Sequence, residues 1–388
     1  MEPASGRGRG LPTPKATRTE HPRSSLCPCP TYTAYWTPPP SWPRHLLCES
    51  KLLPCSFSQL CWLGIAGVAF IYFFIMDIVL FTRFRDTDLA KEFGFVTPGE
   101  IYLPFTRLSV KSILNDHPSQ FIIAPSTEYF DMLTHFSSVF YFITPNMISL
   151  AHLVCGFIAG KFLASDHLQD RRIGVVLFEL RTWLDAFDGT VHRAQAGLRL
   201  HYNSTHSTLG YLVDSVFDTL GGCFLSFGMF FYLMKRFGPS RVPLPVRSNV
   251  KDAKDGPTPE ISQTRDDAYS VRYLFLKVLS FGVCLGVAAK GWDQAVEDFT
   301  HVFQVPLKDP ELSMLQYTYC HSYTTITIFY LWRIFGSQSI FNYILLAFYM
   351  DKIWEFLRWM PFILLSVVVV LYIITAVYIH QIRLDLHL

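Results

Sequence analysis

Charged residues are scarce in this sequence. Asp, Glu, Lys and Arg make up 16% of the 388 residues, whereas hydrophobic residues make up 50%. This composition argues against a soluble enzyme and is typical of a membrane protein with several spans. The formal net charge is only +2, and no cluster of Lys and Arg forms the basic block of a nucleic-acid-binding protein. We therefore expect a multi-pass membrane protein that binds no nucleic acid.

Two further signals are absent. The nine cysteines have no spacing typical of a metal site, so metal binding by thiolates is not expected. We expect no cleavable signal sequence at the N-terminus, because the first apolar run starts near residue 57. Residues 1–56 are rich in Pro, Ser, Thr and Arg and show no periodicity. We expect them to form a disordered region.

Long apolar runs begin at residue 57. Residues 57–82 are long enough to span a bilayer and are assigned to an anchor helix. Residues 83–144 form a loop region too long for a simple connector, so we expect it to pack on the core. The core, residues 145–388, contains six apolar segments, at about 147–165, 171–188, 209–235, 271–290, 320–350 and 358–380. The predicted fold is all-α, with one anchor helix and a six-helix core whose fifth segment is kinked or split at Gly336.

Four acidic residues lie in or at the ends of these apolar segments. Asp185 and Asp188 are three residues apart, and Asp214 and Asp218 are four apart, so each pair lies on one face of a helix. A carboxylate in a bilayer is costly and is usually paired, solvated or metal-bound. If the two faces meet, four carboxylates surround one point, and hard divalent cations supply the counter-charge that they need.

These acids belong to a longer motif, D-x-x-D-G-x-x-H-R followed by G-x-x-x-D-x-x-x-D. The motif resembles the hallmark of the CDP-alcohol phosphotransferase family. It departs from the family pattern at His192, where Ala is usual, and in the long segment between Arg193 and Gly210. The Pro–Asn pair at Pro145 and Asn146 also resembles the entry into the first core helix of that family.

The resemblance implies a pair of divalent cations, Mn²⁺ or Mg²⁺, held by carboxylates. Asp185, Asp188 and Asp214 would be metal ligands. Asp218 would both approach the second cation and act as the general base on the acceptor hydroxyl. Oxygen ligands suit both of these metals.

The resemblance also assigns residues to the donor. Gly189 and Gly210 would allow close approach of the backbone to a cytidine diphosphate. Arg193 suits a phosphate because its guanidinium offers a fixed fork of donors. Asn146 would lie near the nucleotide. His192 would either contact the donor or be solvated at the helix end.

The N-terminal extension, the stretched motif and His192 resemble an animal branch of this family. That branch transfers phosphoethanolamine from CDP-ethanolamine to ceramide in the membrane. An enzyme that uses diacylglycerol as acceptor, with CDP-ethanolamine or CDP-choline as donor, remains an alternative, because the motif does not distinguish the two acceptors. A cation-binding transporter is a third interpretation, although the sequence has no evident inverted repeat of broken helices. Dimerisation is common in the family, so a homodimer is expected.

Several polar residues outside the motif have open interpretations. Glu179 and Arg181 are expected to form an ion pair within the membrane, or else to shape the nucleotide pocket. His152 is interpreted as a core or interfacial histidine with satisfied hydrogen bonds rather than as a catalytic one. Asp77 is expected near the membrane boundary. Asn146 is also a candidate helix cap.

Basic residues near the helix ends predict the orientation. They lie before the anchor, in the turn between the first two core helices and in the linker 235–272: Arg44, Lys51, Arg171, Arg172, Lys235, Arg236, Arg241, Arg247, Lys251, Lys254, Arg265 and Arg272. If these sites and the N-terminus are cytosolic, the region 83–144 and the hairpin 186–209 face the lumen. The resemblance implies the same orientation, with a lumenal active site in the Golgi membrane. The hairpin contains the sequon at Asn203, although its closeness to the active site argues against glycosylation.

Overall fold

The computed structural model describes residues 57–92, 108–196, 209–239 and 269–388. The predictions for residues 1–56, for the sequon at Asn203 and for most of the linker 235–272 lie outside these ranges. The helices are α1 Phe57–Asp86, α2 Leu89–Glu92, α3 Val110–Leu114, α4 Ala124–Thr134, α5 Phe136–Val139, α6 Pro145–Leu163, α7 Leu168–Gln195, α8 Leu209–Phe237, α9 Val271–Phe303, α10 Pro310–Cys320, α11 Tyr323–Phe335, α12 Ser337–Tyr349 and α13 Ile353–Asp385, and a π-helical turn, Ser119–Ile123, precedes α4. The described ranges contain no strand, which confirms the all-α prediction.

Five stretches within the described ranges are long and apolar enough to cross a membrane. They are Gly67–Asp86, Pro145–Leu163, Ser215–Phe237, Val271–Phe303 and Ile353–Asp385. The chain is therefore a polytopic membrane protein. The other two predicted segments are also helical, but α7 carries many charged residues and the fifth core segment is divided. It forms α11 and α12, of 13 residues each, which meet at the extended residue Gly336.

By its internal contacts the chain divides into two units, Met1–Leu60 and Cys61–Leu388, and the packing of the core belongs to the second. Within it, α6 packs against both α7 and α8, and α9 packs along α13. The helix α12 contacts α7 and α9 and connects these two groups. A continuous apolar core joins them, with Phe178 of α7, Leu225 of α8 and Phe348 of α12 fully buried.

Glycines let α6 and α8 approach very closely. A Cβ atom at Gly228 of α8 would lie 2.5 Å from the carbonyl oxygen of Gly160 of α6, and one at Gly160 would lie 2.7 Å from the carbonyl oxygen of Phe224. Both obstacles are backbone atoms, which cannot rotate away. Small residues at helix contacts are the usual means of close packing in membranes. This contact sets the distance between α6, which begins with the Pro–Asn pair, and α8, which carries Asp214 and Asp218.

We expect Gly228→Ala to destabilise the protein, whereas Gly222→Ala should not. Both glycines lie in α8, so both substitutions gain the same helix propensity, but no atom lies within 4 Å of a Cβ placed at Gly222. Overpacking of a tight contact costs about 1–3 kcal/mol. In thermal unfolding of the detergent-solubilised protein, Gly228→Ala should therefore melt several degrees below Gly222→Ala. Equal melting temperatures would contradict the close approach of α6 and α8.

The described part of the region 83–144 is largely helical rather than a loop, and it packs on the core through α4. The indole Nε1 of Trp183 in α7 donates to Ser126 Oγ at 2.9 Å, and the hydroxyls of Thr127 and Thr190 are 3.2 Å apart. Phe130 of α4 packs edge-on against Phe187 of α7. These contacts hold α4 along the half of α7 that carries the motif.

The position of Asp77 relative to the membrane boundary stays a prediction, but its carboxylate is buried and paired. Asp77 is buried in α1, where its carboxylate accepts from Arg333 Nη2 of α11 at 2.8 Å and contacts His117 Nε2 at 2.6 Å. Arg333 is fully buried and also donates to the carbonyl oxygen of Ile113 at 2.9 Å. A charge buried in this way needs a partner. The network therefore joins α1 to α11 and to the segment after α3.

Candidate active site

The two acids of the first half-motif lie on one face of α7, toward α6. Asp188 is buried, with 7% of its surface exposed, and its Oδ2 accepts a hydrogen bond of 2.5 Å from Ser149 Oγ of α6. Asp185 lies one turn before it on the same helix. The hydroxyl of Ser149 thus orients one of the two carboxylates, and the close packing of α6 on α7 brings it within reach.

His152 joins these acids from α6. One ligand atom each of His152, Asp185 and Asp188 lies within 4.8 Å of the other two. The imidazole is fully buried, as expected for a core histidine. Its hydrogen bonds are not satisfied, however, since neither ring nitrogen has a hydrogen-bond partner among the described residues. This contradicts the interpretation of His152 as a satisfied core residue, and it makes His152 part of the site.

Asp218 of α8 lies beside this cluster. Its carboxylate forms an ion pair with the guanidinium of Arg181 and interacts with the side chain of Asp185. Gly221, one turn further along α8, leaves the room that the guanidinium occupies, because a Cβ there would lie 2.9 Å from Arg181 Nη2. The side chain of Asp218 is 45% exposed and that of Arg181 is 7% exposed. Asp218 is thus accessible from outside the helix bundle, while its partner is not.

The predicted ion pair between Glu179 and Arg181 is wrong. Arg181 pairs with Asp218 of α8 instead. Residues two apart in a helix point in different directions. Arg181 therefore faces α8, whereas Glu179 lies near the like charge of Asp116, in the turn after α3. The second half-motif is described only in part. Gly210 and Asp214 lie in α8, Asp214 one turn before Asp218, and the side chain of Asp214 is outside the described atoms.

Arg193 is held by an acid that the sequence did not indicate. Its Nη2 donates to Glu128 Oε1 of α4 at 2.7 Å and to Thr190 Oγ1 at 3.1 Å. Glu128 is 8% exposed, so the ion pair is largely shielded from water. Gly189 lies under the same guanidinium, since a Cβ at Gly189 would be 3.3 Å from Arg193 Nη1. The helix α4 therefore sets the direction of the predicted phosphate-binding side chain.

The two remaining predicted residues lie at the edge of the site. His192 is exposed in the last turn of α7, and Asn146 is exposed in the first turn of α6. The prediction that Asn146 caps α6 is wrong, because the cap position is Thr144 and Pro145 begins the helix. Pro suits that position because its missing N–H would have no partner there.

Sequence reasoning missed three contributors to the site: Ser149, His152 and Glu128. A signal for two of them was available, since Ser149 and His152 lie four and seven residues after Pro145. At this spacing they share one face of α6, and polar residues on one face of a membrane helix indicate a polar interior. Glu128 carried no such signal, because it lies in a region with no recognisable motif.

The comparisons with known proteins bear on these same residues. The sequence model of the ceramide phosphoethanolamine synthase family matches residues 99–385. The chain belongs to this family. The match includes α3 to α13 and all the residues of the site, from Glu128 to Asp218.

A curated member of the ceramide phosphoethanolamine synthase family gives the same result. The ceramide phosphoethanolamine synthase of Drosophila melanogaster is 35% identical over 263 residues, which cover 66% of this chain and 63% of the relative. The chain thus aligns with somewhat less than two thirds of that relative. No solved structure matches the chain.

Proposed function

We propose that the chain transfers phosphoethanolamine from CDP-ethanolamine to the primary hydroxyl of ceramide, with release of CMP. The family match over residues 99–385 carries this proposal. The convergence of Ser149, His152, Asp185 and Asp188 between two helices supports it, because a pyrophosphate donor needs a site that can gather positive charge around its phosphates. A cation transporter would not need an arginine, such as Arg193, held in a fixed direction beside the acids.

The groups in the site fit a divalent cation. Ligand atoms of two carboxylates and one imidazole converge within 4.8 Å, and the imidazole nitrogens have no hydrogen-bond partner among the described residues. Such oxygen-rich donor sets suit Mg²⁺ and Mn²⁺. Asp185, Asp188 and Asp214 would hold two such cations, with Asp218 beside the second. When bound, the cations neutralise charge on the donor and on the leaving CMP.

The protein's own side chains orient the reactants. Ser149 holds the carboxylate of Asp188 in one orientation through its hydrogen bond. Arg193, whose Nη2 donates to Glu128 and Thr190, would bind a phosphate of the donor through its guanidinium. Glu128 would keep this guanidinium in place before the donor arrives, so less side-chain entropy is lost on binding.

We infer that Asp218 receives the proton of the acceptor. The ceramide hydroxyl oxygen attacks the phosphorus that carries ethanolamine, and the bond from that phosphorus to the CMP oxygen breaks. The hydroxyl proton passes to the carboxylate of Asp218 as the new bond forms. Arg181 holds this carboxylate through their ion pair, and the partial exposure of Asp218 leaves it accessible to a lipid.

The acceptor assay tests the proposal directly. Purified protein with Mn²⁺ should release CMP rapidly from CDP-ethanolamine when vesicles that contain ceramide are present. Diacylglycerol should support turnover at least about tenfold more slowly, since a site built for one polar head rejects another. Vesicles without either acceptor are the control, and CDP-choline tests the donor. Faster turnover with diacylglycerol would instead indicate a glycerophospholipid synthase.

We also propose that the protein lies in the Golgi membrane, as a homodimer, with the active site facing the lumen. Basic residues from α7 and α8 meet at the end of the bundle opposite to the acids. Arg171 and Arg236 both donate to Asp351 Oδ1, at 2.6 and 2.9 Å. Burial alone would raise the pKa of Asp351, but Tyr232 and these two guanidiniums hold it below its ordinary value. This clustered positive charge supports assigning that end to the cytosol.

The orientation predicts which tags are accessible in sealed Golgi vesicles. Tags placed before residue 57 and near residue 255 should be digested by added protease without detergent. A tag in the hairpin near residue 203 should be protected until the membrane is permeabilised. Protection of the first tag would contradict a cytosolic N-terminus, and protection of the second would contradict a cytosolic linker.

A further inference from the structure

His152 is the most unusual buried side chain among the described residues. It is fully buried, and both of its ring nitrogens lack a hydrogen-bond partner within the described ranges. Its ring packs against that of Phe217 of α8, with 6.2 Å between centroids. A buried polar group without a partner costs free energy, and such groups in native proteins usually have an explanation outside the protein's own hydrogen bonds.

The surroundings of His152 indicate what that explanation is. A ligand atom of the imidazole lies within 4.8 Å of an oxygen of Asp185 and of an oxygen of Asp188. It nevertheless makes no hydrogen bond to either. The imidazole is thus close enough to both carboxylates to share a neighbour with them without being hydrogen-bonded to either. Two ligands about 2.1 Å from one ion are separated by roughly 3 to 4 Å, so a divalent cation fits the space between them.

We propose that His152 is a nitrogen ligand of the divalent cation held by Asp185 and Asp188. This inference rests on the proposed metal-dependent function and extends it, because the family motif contains only oxygen ligands. The helix α6 then contributes two residues to the centre. His152 supplies a ligand atom, and Ser149, one turn earlier, orients a ligating carboxylate through its hydrogen bond.

Electron spin-echo spectroscopy of bound Mn²⁺ tests this inference without any turnover. The sample is the full-length protein in lipid nanodiscs with Mn²⁺ alone. The wild type should show modulation from a directly bound nitrogen, and labelling of histidine with ¹⁵N should shift its frequencies. His152→Gln should lose this modulation and bind Mn²⁺ at least about tenfold more weakly, the usual cost of disturbing a metal centre.

Two variants serve as controls. Cys155→Ala changes a half-buried residue one turn further along α6, whose Sγ donates to the carbonyl oxygen of Leu177 at 3.2 Å, and it should keep the nitrogen signal. His192→Gln removes an exposed histidine of α7 and should also keep it. A signal that survives in His152→Gln, or disappears in His192→Gln, overturns the inference.

The wild-type measurement does not depend on the folding of any variant. If Mn²⁺ binds but shows no coupling to nitrogen, the ligand role of His152 is wrong while the proposed metal-dependent transfer stands. If the wild type binds no Mn²⁺ and turns over fully in excess chelator, the proposed function fails together with the inference.

Discussion

Asp188→Asn is expected to abolish phosphoethanolamine transfer while leaving the protein folded. The amide oxygen of Asn can still accept the hydrogen bond from Ser149, so the packing of α6 on α7 should survive. The loss of the negative charge removes a metal ligand. Metal-ion catalysis is worth several kcal/mol, and about 1.4 kcal/mol corresponds to a tenfold change in rate. Turnover should therefore fall at least about a thousandfold in the CMP-release assay.

The same result should follow from Asp185→Asn, from Asp214→Asn and from chelation of the wild type, with Mn²⁺ or Mg²⁺ restoring the chelated enzyme. Asp170→Asn is the matched control. Asp170 lies in the first turn of α7, far from the motif, and accepts from Ser165 Oγ at 2.7 Å. Asp170→Asn should leave turnover within about twofold of the wild type, since substitutions away from the site usually have small effects. Full wild-type turnover in excess chelator would contradict the metal-dependent proposal.

Asp218→Asn is expected to reduce turnover far more than donor affinity. As a general base, Asp218 acts on the acceptor hydroxyl, whereas Asp185, Asp188 and Asp214 organise the metals and the donor. Proton transfer by a positioned side chain is worth about 10²- to 10⁴-fold, so turnover should fall by that factor. Metal-dependent binding of CDP-ethanolamine should remain within a few-fold of the wild type.

The ion pair with Arg181 complicates this substitution, because Asn removes the charge that a buried guanidinium faces. Thermal unfolding therefore accompanies the kinetic measurement. Thr219→Ala is the control, since the exposed hydroxyl of Thr219 donates to the carbonyl oxygen of Ser215 within α8. If Asp218→Asn loses donor binding as completely as Asp188→Asn, Asp218 is an essential metal ligand and not a separate base.

Local sequence patterns accounted for the helices and for one face of the site. The long apolar runs predicted the segments observed as α6, α8, α9 and α13, and Gly336 correctly marked the division between α11 and α12. The spacing of Asp185 and Asp188 placed both on one face of α7. These features depend only on neighbouring residues and on helical periodicity.

Contacts between distant segments were not predictable in the same way. The sequence interpretation paired Arg181 with Glu179, but its partner is Asp218, 37 residues later. Arg193 pairs with Glu128, 65 residues earlier, and Arg333 pairs with Asp77, 256 residues earlier. Each of these partners was selected by the rotation and separation of two packed helices.

The sequence by itself determined that this is an all-α membrane protein, because composition and periodicity are local properties of the chain, and its resemblance to a known family supplied the phosphotransferase motif of α7 and α8. Only the tertiary structure decided that Ser149 and His152 belong with those acids and that Glu128 directs Arg193. The reason is physical. A buried polar group is stabilised by whichever partner lies within about 3 Å, and that distance is set by contacts such as Gly160 against Gly228, which fix how closely the helices pack.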